Sequence, residues 1–296
     1  MNFTSVSELV ELAESKGLPI SEVMIQKEME WMDRTRDEVF GQMEENLAIM
    51  EKAVQKGLHE EIHSSSGLSG GDAQKIRRYI QESSVLLSGA DVLDTVSRSM
   101  SVSEVNASMG TIVATPTAGA CGVLPGCVFT AANRLRADRE AMVRALFVSG
   151  AIGYCIANNS FISGAAGGCQ AEVGSATAMS AAAVVEMAGG SPSQSAEAVA
   201  IALKNMLGLV CDPVAGLVEA PCVKRNAMGG AIAMVAADLA MAGVTSVIPA
   251  DEVIGAMYRI GRDMPTSLKE TALGGLAATQ TGREWERRIF GKPEKE

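Results

Sequence analysis

Six cysteines occur in this 296-residue chain, and their surroundings divide them. Cys127 and Cys155 lie inside apolar runs that read as helix, where a free thiol behaves as a small hydrophobe. Cys121 stands in a Gly-rich loop and is left unassigned. Cys169, Cys211 and Cys222 each sit at a Gly- or Pro-marked break: Gly167-Gly168-Cys169-Gln170, Cys211-Asp212-Pro213 and Ala220-Pro221-Cys222. Three loop thiols suit a metal centre with one open coordination position. Zinc with three thiolates and a cubane cluster with one iron free for substrate both fit that description. The separations of 42 and then 11 residues match no compact zinc pattern such as C-x-x-C.

Hydroxyls and an amide accompany the thiols. Thr115 and Thr117 belong to a first Gly-rich loop, Thr115–Gly126, and Asn159 and Ser163 to a second, Asn158–Gln170. A third runs from Cys211 to Gly216 and resumes at Glu219. Glycine lets the backbone turn and approach a small ligand, and hydroxyl and amide donors suit a carboxylate. Thr115, Thr117, Asn159 and Ser163 are therefore the expected substrate-binding residues. The sequence does not single out a general base. Glu172 and Lys224 follow a loop thiol closely, and His63 lies in a polar loop, so these three are the candidates. Only His59 and His63 are histidines, which argues against zinc hydrolases built on paired histidines.

The elements that must position these groups read as helices. Ser5 and Glu8 have capping-box spacing and Gly17 is a natural stop. A Met-rich helical region is expected from Ser21 to about Gly57, broken near Gly41, followed by a polar loop to Gly71 and a helix over 72–87. From Val92 onward Ala, Gly, Val and Met dominate. Ser191-Pro192, Pro249 and Pro265 punctuate this part as helix starts or turns. No alternating strand pattern is visible, so the expected fold is all-α. It consists of an N-terminal helical region (1–90) and a Gly/Ala-rich helical region (91–296) whose loops form the site, together one continuous domain.

Bulk properties narrow the partners. Aromatics are only 4% of the chain, so small side chains and flexible thioethers must fill the core. A net charge of −10 argues against nucleic acid, which needs a basic face. The two most apolar stretches contain Arg144 and Asp238, so neither offers the roughly 20 uncharged residues of a membrane span. The first residues lead straight into an amphipathic helix rather than a secretory leader, which implies a cytoplasmic protein with reduced thiols.

At its loops the chain resembles the α subunit of bacterial iron–sulfur L-serine dehydratase, over nearly its whole length. The most specific matches are Ser163-Gly164-Ala165-Ala166-Gly167-Gly168-Cys169-Gln170-Ala171-Glu172-Val173-Gly174 and Gly208-Leu209-Val210-Cys211-Asp212-Pro213-Val214-Ala215-Gly216. Pro221-Cys222-Val223-Lys224-Arg225-Asn226-Ala227 and the run from Asn106 to Gly126 continue it. The segment Asn159-Ser160-Phe161-Ile162-Ser163-Gly164 departs from the family's Asn-Ala-Ser-Ile-Ser-Gly by displacing one hydroxyl. The resemblance implies a 4Fe-4S cluster held by Cys169, Cys211 and Cys222, a separate β subunit, and a lyase that converts L-serine to pyruvate and ammonia. Two other readings remain open: the same cluster chemistry on L-cysteine, and a non-catalytic helical partner subunit.

Overall fold

The computed structural model describes residues 1–291. It is all-α: among the described residues there are thirteen α-helices and no strand, only the isolated bridges His63–Gly70 and Cys211–Lys269. The helices are α1 (Val6–Lys16), α2 (Ile20–Met32), α3 (Arg36–His59), α4 (Asp72–Glu82), α5 (Ala90–Ala107), α6 (Val123–Leu135) and α7 (Arg139–Asn159). They continue as α8 (Gly164–Gly167), α9 (Ser175–Met187), α10 (Pro192–Lys204), α11 (Cys222–Met241), α12 (Ala250–Asp263) and α13 (Gln280–Phe290).

The centre of the molecule is α9. Every residue from Ser175 to Val185 is buried, and the helix packs against α6, α7, α10 and α11. A helix apolar on all sides belongs in a core, and its Ala-rich surface (Ala176, Ala178, Ala181, Ala182, Ala183) lets four neighbours approach it. Around this axis, α2 lies on α7, while α5 is held between α3, α4, α6 and α11. By length and composition α7 could cross a membrane, but Phe147, Ile152 and Ile156 on it are buried in the protein core.

The helix boundaries follow local chemistry. Ser5 with Glu8 and Ser191 with Gln194 form complete capping boxes, and Gly17 closes α1 in the left-handed conformation. The expected break near Gly41 is not there. The chain breaks instead at Asp33, which is left-handed, and restarts at a Thr35–Glu38 capping box, so α3 runs through Gly41. Gly41 faces open space, and a glycine inside a helix costs only about 1 kcal/mol, too little to interrupt a 24-residue helix packed on α5. The helix expected over 72–87 ends at Glu82, capped by Ser83.

Candidate active site

The three loop thiols come from three segments that meet beside α9. Ser163 opens the single turn α8, and Gly168, in the left-handed region, turns the chain into Cys169. A π-helical turn, Gln170–Gly174, then leads into α9 and carries Glu172. Such turns recur at functional sites because the widened turn re-aims its side chains. Cys211 lies in an extended segment, where its N–H donates to Leu268 O (2.8 Å) and its carbonyl accepts from Glu270 N (2.7 Å). Cys222 opens α11 directly after the cis peptide Ala220–Pro221.

Polar side chains fasten these segments together. Gln170, fully buried, donates to Gly167 O and Met257 O at 3.0 and 3.1 Å and accepts from Gly208 N at 2.9 Å. It thereby joins the Cys169 turn to α12 and to the approach to Cys211. Asn226, one turn into α11, donates to Gly119 O (2.7 Å) and Cys222 O (2.9 Å) and accepts from Gly122 N (2.9 Å). Arg225 donates through Nη1 to Val210 O (2.8 Å), and its charge acts on the Cys169 thiol. The same nitrogen lies 2.9 Å from Asp212 Oδ1, so it meets that carboxylate by charge while its aligned hydrogen bond goes to the carbonyl. Buried Glu219, three residues before Cys222, accepts from Ser66 Oγ (2.8 Å) and Ser69 Oγ (2.7 Å), bracing the Cys222 loop with the Ser-rich loop. Ser69 lies in a Gly-x-Ser-x-Gly sequence, Gly67–Gly71, but no strand precedes it here, so it is no nucleophile elbow.

Thr117 hydrogen-bonds the Glu172 carboxylate, Oγ1 to Oε1. Two glycines make room for this carboxyl group. A Cβ on Gly119 would stand 2.5 Å from Glu172 Oε1. One on Gly164 would stand 2.7 Å from Cys211 Sγ and 3.3 Å from Glu172 Oε2. Glu172 and Cys211 therefore line one small cradle that only glycine leaves open.

The cradle is buried and dominated by acidic groups. Burial pushes the Cys169 thiol up to about 12, with Arg225 acting against it. Burial first, and then the charges of Cys169 and Glu172, push Cys211 and Cys222 up as well. Burial also raises Glu172, opposed by the Thr117 hydrogen bond and reinforced by Glu270. Ionised together, three thiolates with one guanidinium against them would repel one another, and a cationic group among them would offset that cost. Among the described residues no three His, Cys, Asp or Glu side chains close to the spacing of a single metal ion. The buried Thr115 hydroxyl is a further unmet polar atom in the adjoining loop, with no hydrogen-bond partner.

Of the residues expected from sequence, the structure brings together Cys169, Cys211, Cys222, Thr117 and Glu172. Thr115 lies in the same loop as Thr117, and Ser163 immediately precedes Gly164. Asn159 is exposed at the end of α7, its amide donating to Thr4 O and Cys155 O at 2.7 and 2.9 Å. Lys224 points outward to Asp72 at 2.5 Å, and His63 is exposed with Nε2 3.2 Å from Glu61. Cys127 and Cys155 are buried within α6 and α7. Sequence reasoning passed over Gln170, Arg225, Asn226 and Glu270. The spacing Cys222-x-x-Arg225-Asn226 was a usable signal, since residues three and four along a helix share the face of the first.

Residues 15–277 match the family model described as serine dehydratase alpha chain. The chain is 62% identical over 289 residues to the probable L-serine dehydratase, alpha chain, of Bacillus subtilis (strain 168), covering 98% of this chain and 96% of that one. It is 39% identical over 277 residues to the L-serine dehydratase, alpha chain, of Peptoniphilus asaccharolyticus, with 94% of each covered. A longer relative, the L-serine dehydratase of Streptomyces coelicolor, is 39% identical over 282 residues, 93% of this chain but 60% of that one. Such identity over almost the entire length leaves one assignment: this chain belongs to the serine dehydratase alpha-chain family.

Proposed function

We propose that this chain is the catalytic subunit of a lyase that removes water from L-serine and yields pyruvate and ammonia. The observation that carries the proposal is the shared cradle, where a buried carboxyl group held by a threonine faces one of three convergent thiols. The names of the relatives support the substrate.

Cys169, Cys211 and Cys222 would hold a 4Fe-4S cluster, which when bound supplies an open iron as a Lewis acid toward the departing hydroxyl. The chain's own residues do the rest. Thr117 fixes Glu172 through Oε1, leaving Oε2 to take the Cα proton. Burial lifts the affinity of this carboxylate for a proton, as a general base near neutral pH requires. The electron pair of the Cα–H bond becomes the Cα–Cβ double bond as the Cβ–O bond breaks and hydroxide leaves. The resulting 2-aminoacrylate tautomerises to an imine, and water releases ammonia and pyruvate. Thr115, whose buried hydroxyl has no partner, and Ser163, next to Gly164, would donate to the substrate carboxylate. Asn159 anchors the N-terminal segment to α7.

A separate β subunit is part of the proposal. This chain covers 96% and 94% of the Bacillus subtilis and Peptoniphilus asaccharolyticus alpha chains, whereas it accounts for about three fifths of the Streptomyces coelicolor protein. Six free, buried cysteines suit the reducing cytoplasm. The test is anaerobic reconstitution with and without the partner, followed by pyruvate formation from L-serine and from L-cysteine side by side. Pyruvate from L-serine supports the reading, and faster turnover of L-cysteine replaces its substrate.

A further inference from the structure

We propose that Glu219 is a positioning residue for Cys222, which it clasps to a hairpin from the N-terminal helical region; the proposal rests on the ligand reading above. The hairpin, residues 62–71, shapes itself. His63 and Gly70 form its antiparallel bridge, Ser64 N donates to Ser69 O (3.0 Å), and Gly67 N donates to Ser64 O (3.1 Å). Gly70 closes it at φ 139°, where a Cβ would stand 2.3 Å from Ile62 O. The Ser66 hydroxyl accepts from Leu68 N (3.0 Å), and the Ser64 hydroxyl from Ser69 N (3.3 Å). Two hydroxyls of this hairpin then converge on one carboxylate: Ser66 Oγ donates to Glu219 Oε1 (2.8 Å) and Ser69 Oγ to Glu219 Oε2 (2.7 Å).

Cys222 is bracketed by two attachments to this part of the chain. Glu219 stands three residues before it, and Lys224, two residues after it, lies 2.5 Å from Asp72 at the start of α4. The exit of the hairpin is fixed in turn to α5, where buried Glu104 accepts from Asp72 N (2.8 Å) and Ala73 N (3.4 Å). The two attachments are unequal. The Lys224 side chain is 58% exposed, so its ion pair is screened and weak. Glu219 is 6% exposed, and releasing the hairpin would leave a buried carboxylate without its two donors. The Glu219 carbonyl also accepts from Val223 N (2.9 Å) across Cys222, so a displaced Glu219 disturbs the turn that carries the thiol. The other two thiols are anchored differently. Cys211 is held through its backbone to Leu268 and Glu270, and the Cys169 turn through Gln170. A side-chain clasp is particular to Cys222, so its loss should be felt at that thiol first.

The test is iodoacetamide alkylation, resolved by residue with mass spectrometry, in the full chain with its partner subunit before cluster loading. A buried thiol reacts only when its surroundings open, so the rate at each cysteine reports local opening. Cys127, buried within α6, reports loosening of the core as a whole. Glu219→Ala should raise alkylation of Cys222 roughly 10- to 100-fold, with Cys169, Cys211 and Cys127 within about threefold of wild type. Ser66→Ala removes one of the two donors at a half-buried position and should raise the Cys222 rate about tenfold with the same selectivity, which decides the matter if Glu219→Ala does not fold. After anaerobic loading, the Glu219→Ala protein should release iron to a chelator roughly tenfold faster than wild type. A parallel rise at all four cysteines would make Glu219 a general stabilising residue and overturn the proposal. An unchanged Cys222 rate, or unchanged iron release, overturns it too. A wild-type protein that takes up no iron contradicts the ligand reading alone, and the alkylation pattern still decides Glu219.

Discussion

Replacing Gly164 by alanine separates a thiol that merely lines the cradle from one that must stay in place. The added Cβ would stand 2.7 Å from Cys211 Sγ, well inside the 3.4 Å at which ordinary contact begins, and 3.3 Å from Glu172 Oε2. Gly164 lies in helical backbone without a positive φ, so alanine is conformationally acceptable and adds helix propensity. In the cluster-free chain the Cys211 sulfur is unbound and can turn about χ1, while its Cβ, 3.3 Å from the added carbon, need give by only a few tenths of an ångström. Stability in urea should therefore change by no more than about 1 kcal/mol in either direction. Once the sulfur is a ligand it cannot move, and the overlap becomes an overpacking cost of about 1–3 kcal/mol. At 1.4 kcal/mol per factor of ten, that is roughly 5- to 150-fold weaker retention of iron against a chelator. The assay measures bound iron after anaerobic reconstitution across a chelator series, alongside urea unfolding of the apo chain. Equal iron retention in Gly164→Ala and wild type would refute the placement of Cys211 as a ligand beside Gly164.

Glu172→Gln should leave iron content unchanged and lower kcat by about 10²- to 10⁴-fold, read by anaerobic pyruvate formation. Thr117→Val removes a hydrogen bond that lowers the Glu172 pKa, so that pKa rises further. A base must be ionised, so the acidic limb of the kcat profile should move to higher pH, whereas a shift to lower pH contradicts the assigned role. Asn226→Ala strands Gly122 N and Gly119 O in the interior and should destabilise the apo chain by about 2–4 kcal/mol in urea unfolding.

Much of the framework is legible in the sequence because it depends on neighbours along the chain. The Ser5–Glu8 capping box, the Gly17 stop and the Ser191-Pro192 helix start are local arrangements, and each forms as written. The break expected at Gly41 moved to Asp33 because a glycine weakens a helix only slightly, whereas Thr35 with Glu38 offers two hydrogen bonds to a new start. The loop thiols were visible for the same local reason, since Gly and Pro flank them. What joins them was not visible. Gln170 reaches Met257, Asn226 reaches Gly119, and Glu270 meets Cys211 through the backbone, all pairings of groups 59 or more positions apart that only the packed helices bring together. Glu172 lay between the two cases: its closeness to Cys169 was readable, but its partnership with Thr117 was not.

The central claim is that these three thiols hold an iron–sulfur cluster on which L-serine dehydration depends. The most direct test measures iron, sulfide and pyruvate formation in anaerobically purified wild type and Cys211→Ala, each with the partner subunit. The account predicts a brown wild-type enzyme with about four irons per chain that bleaches in air and loses activity with its colour. It predicts a Cys211→Ala enzyme deficient in both cluster and activity. An active enzyme free of iron, or a Cys211→Ala enzyme that keeps its cluster and its turnover, would contradict it.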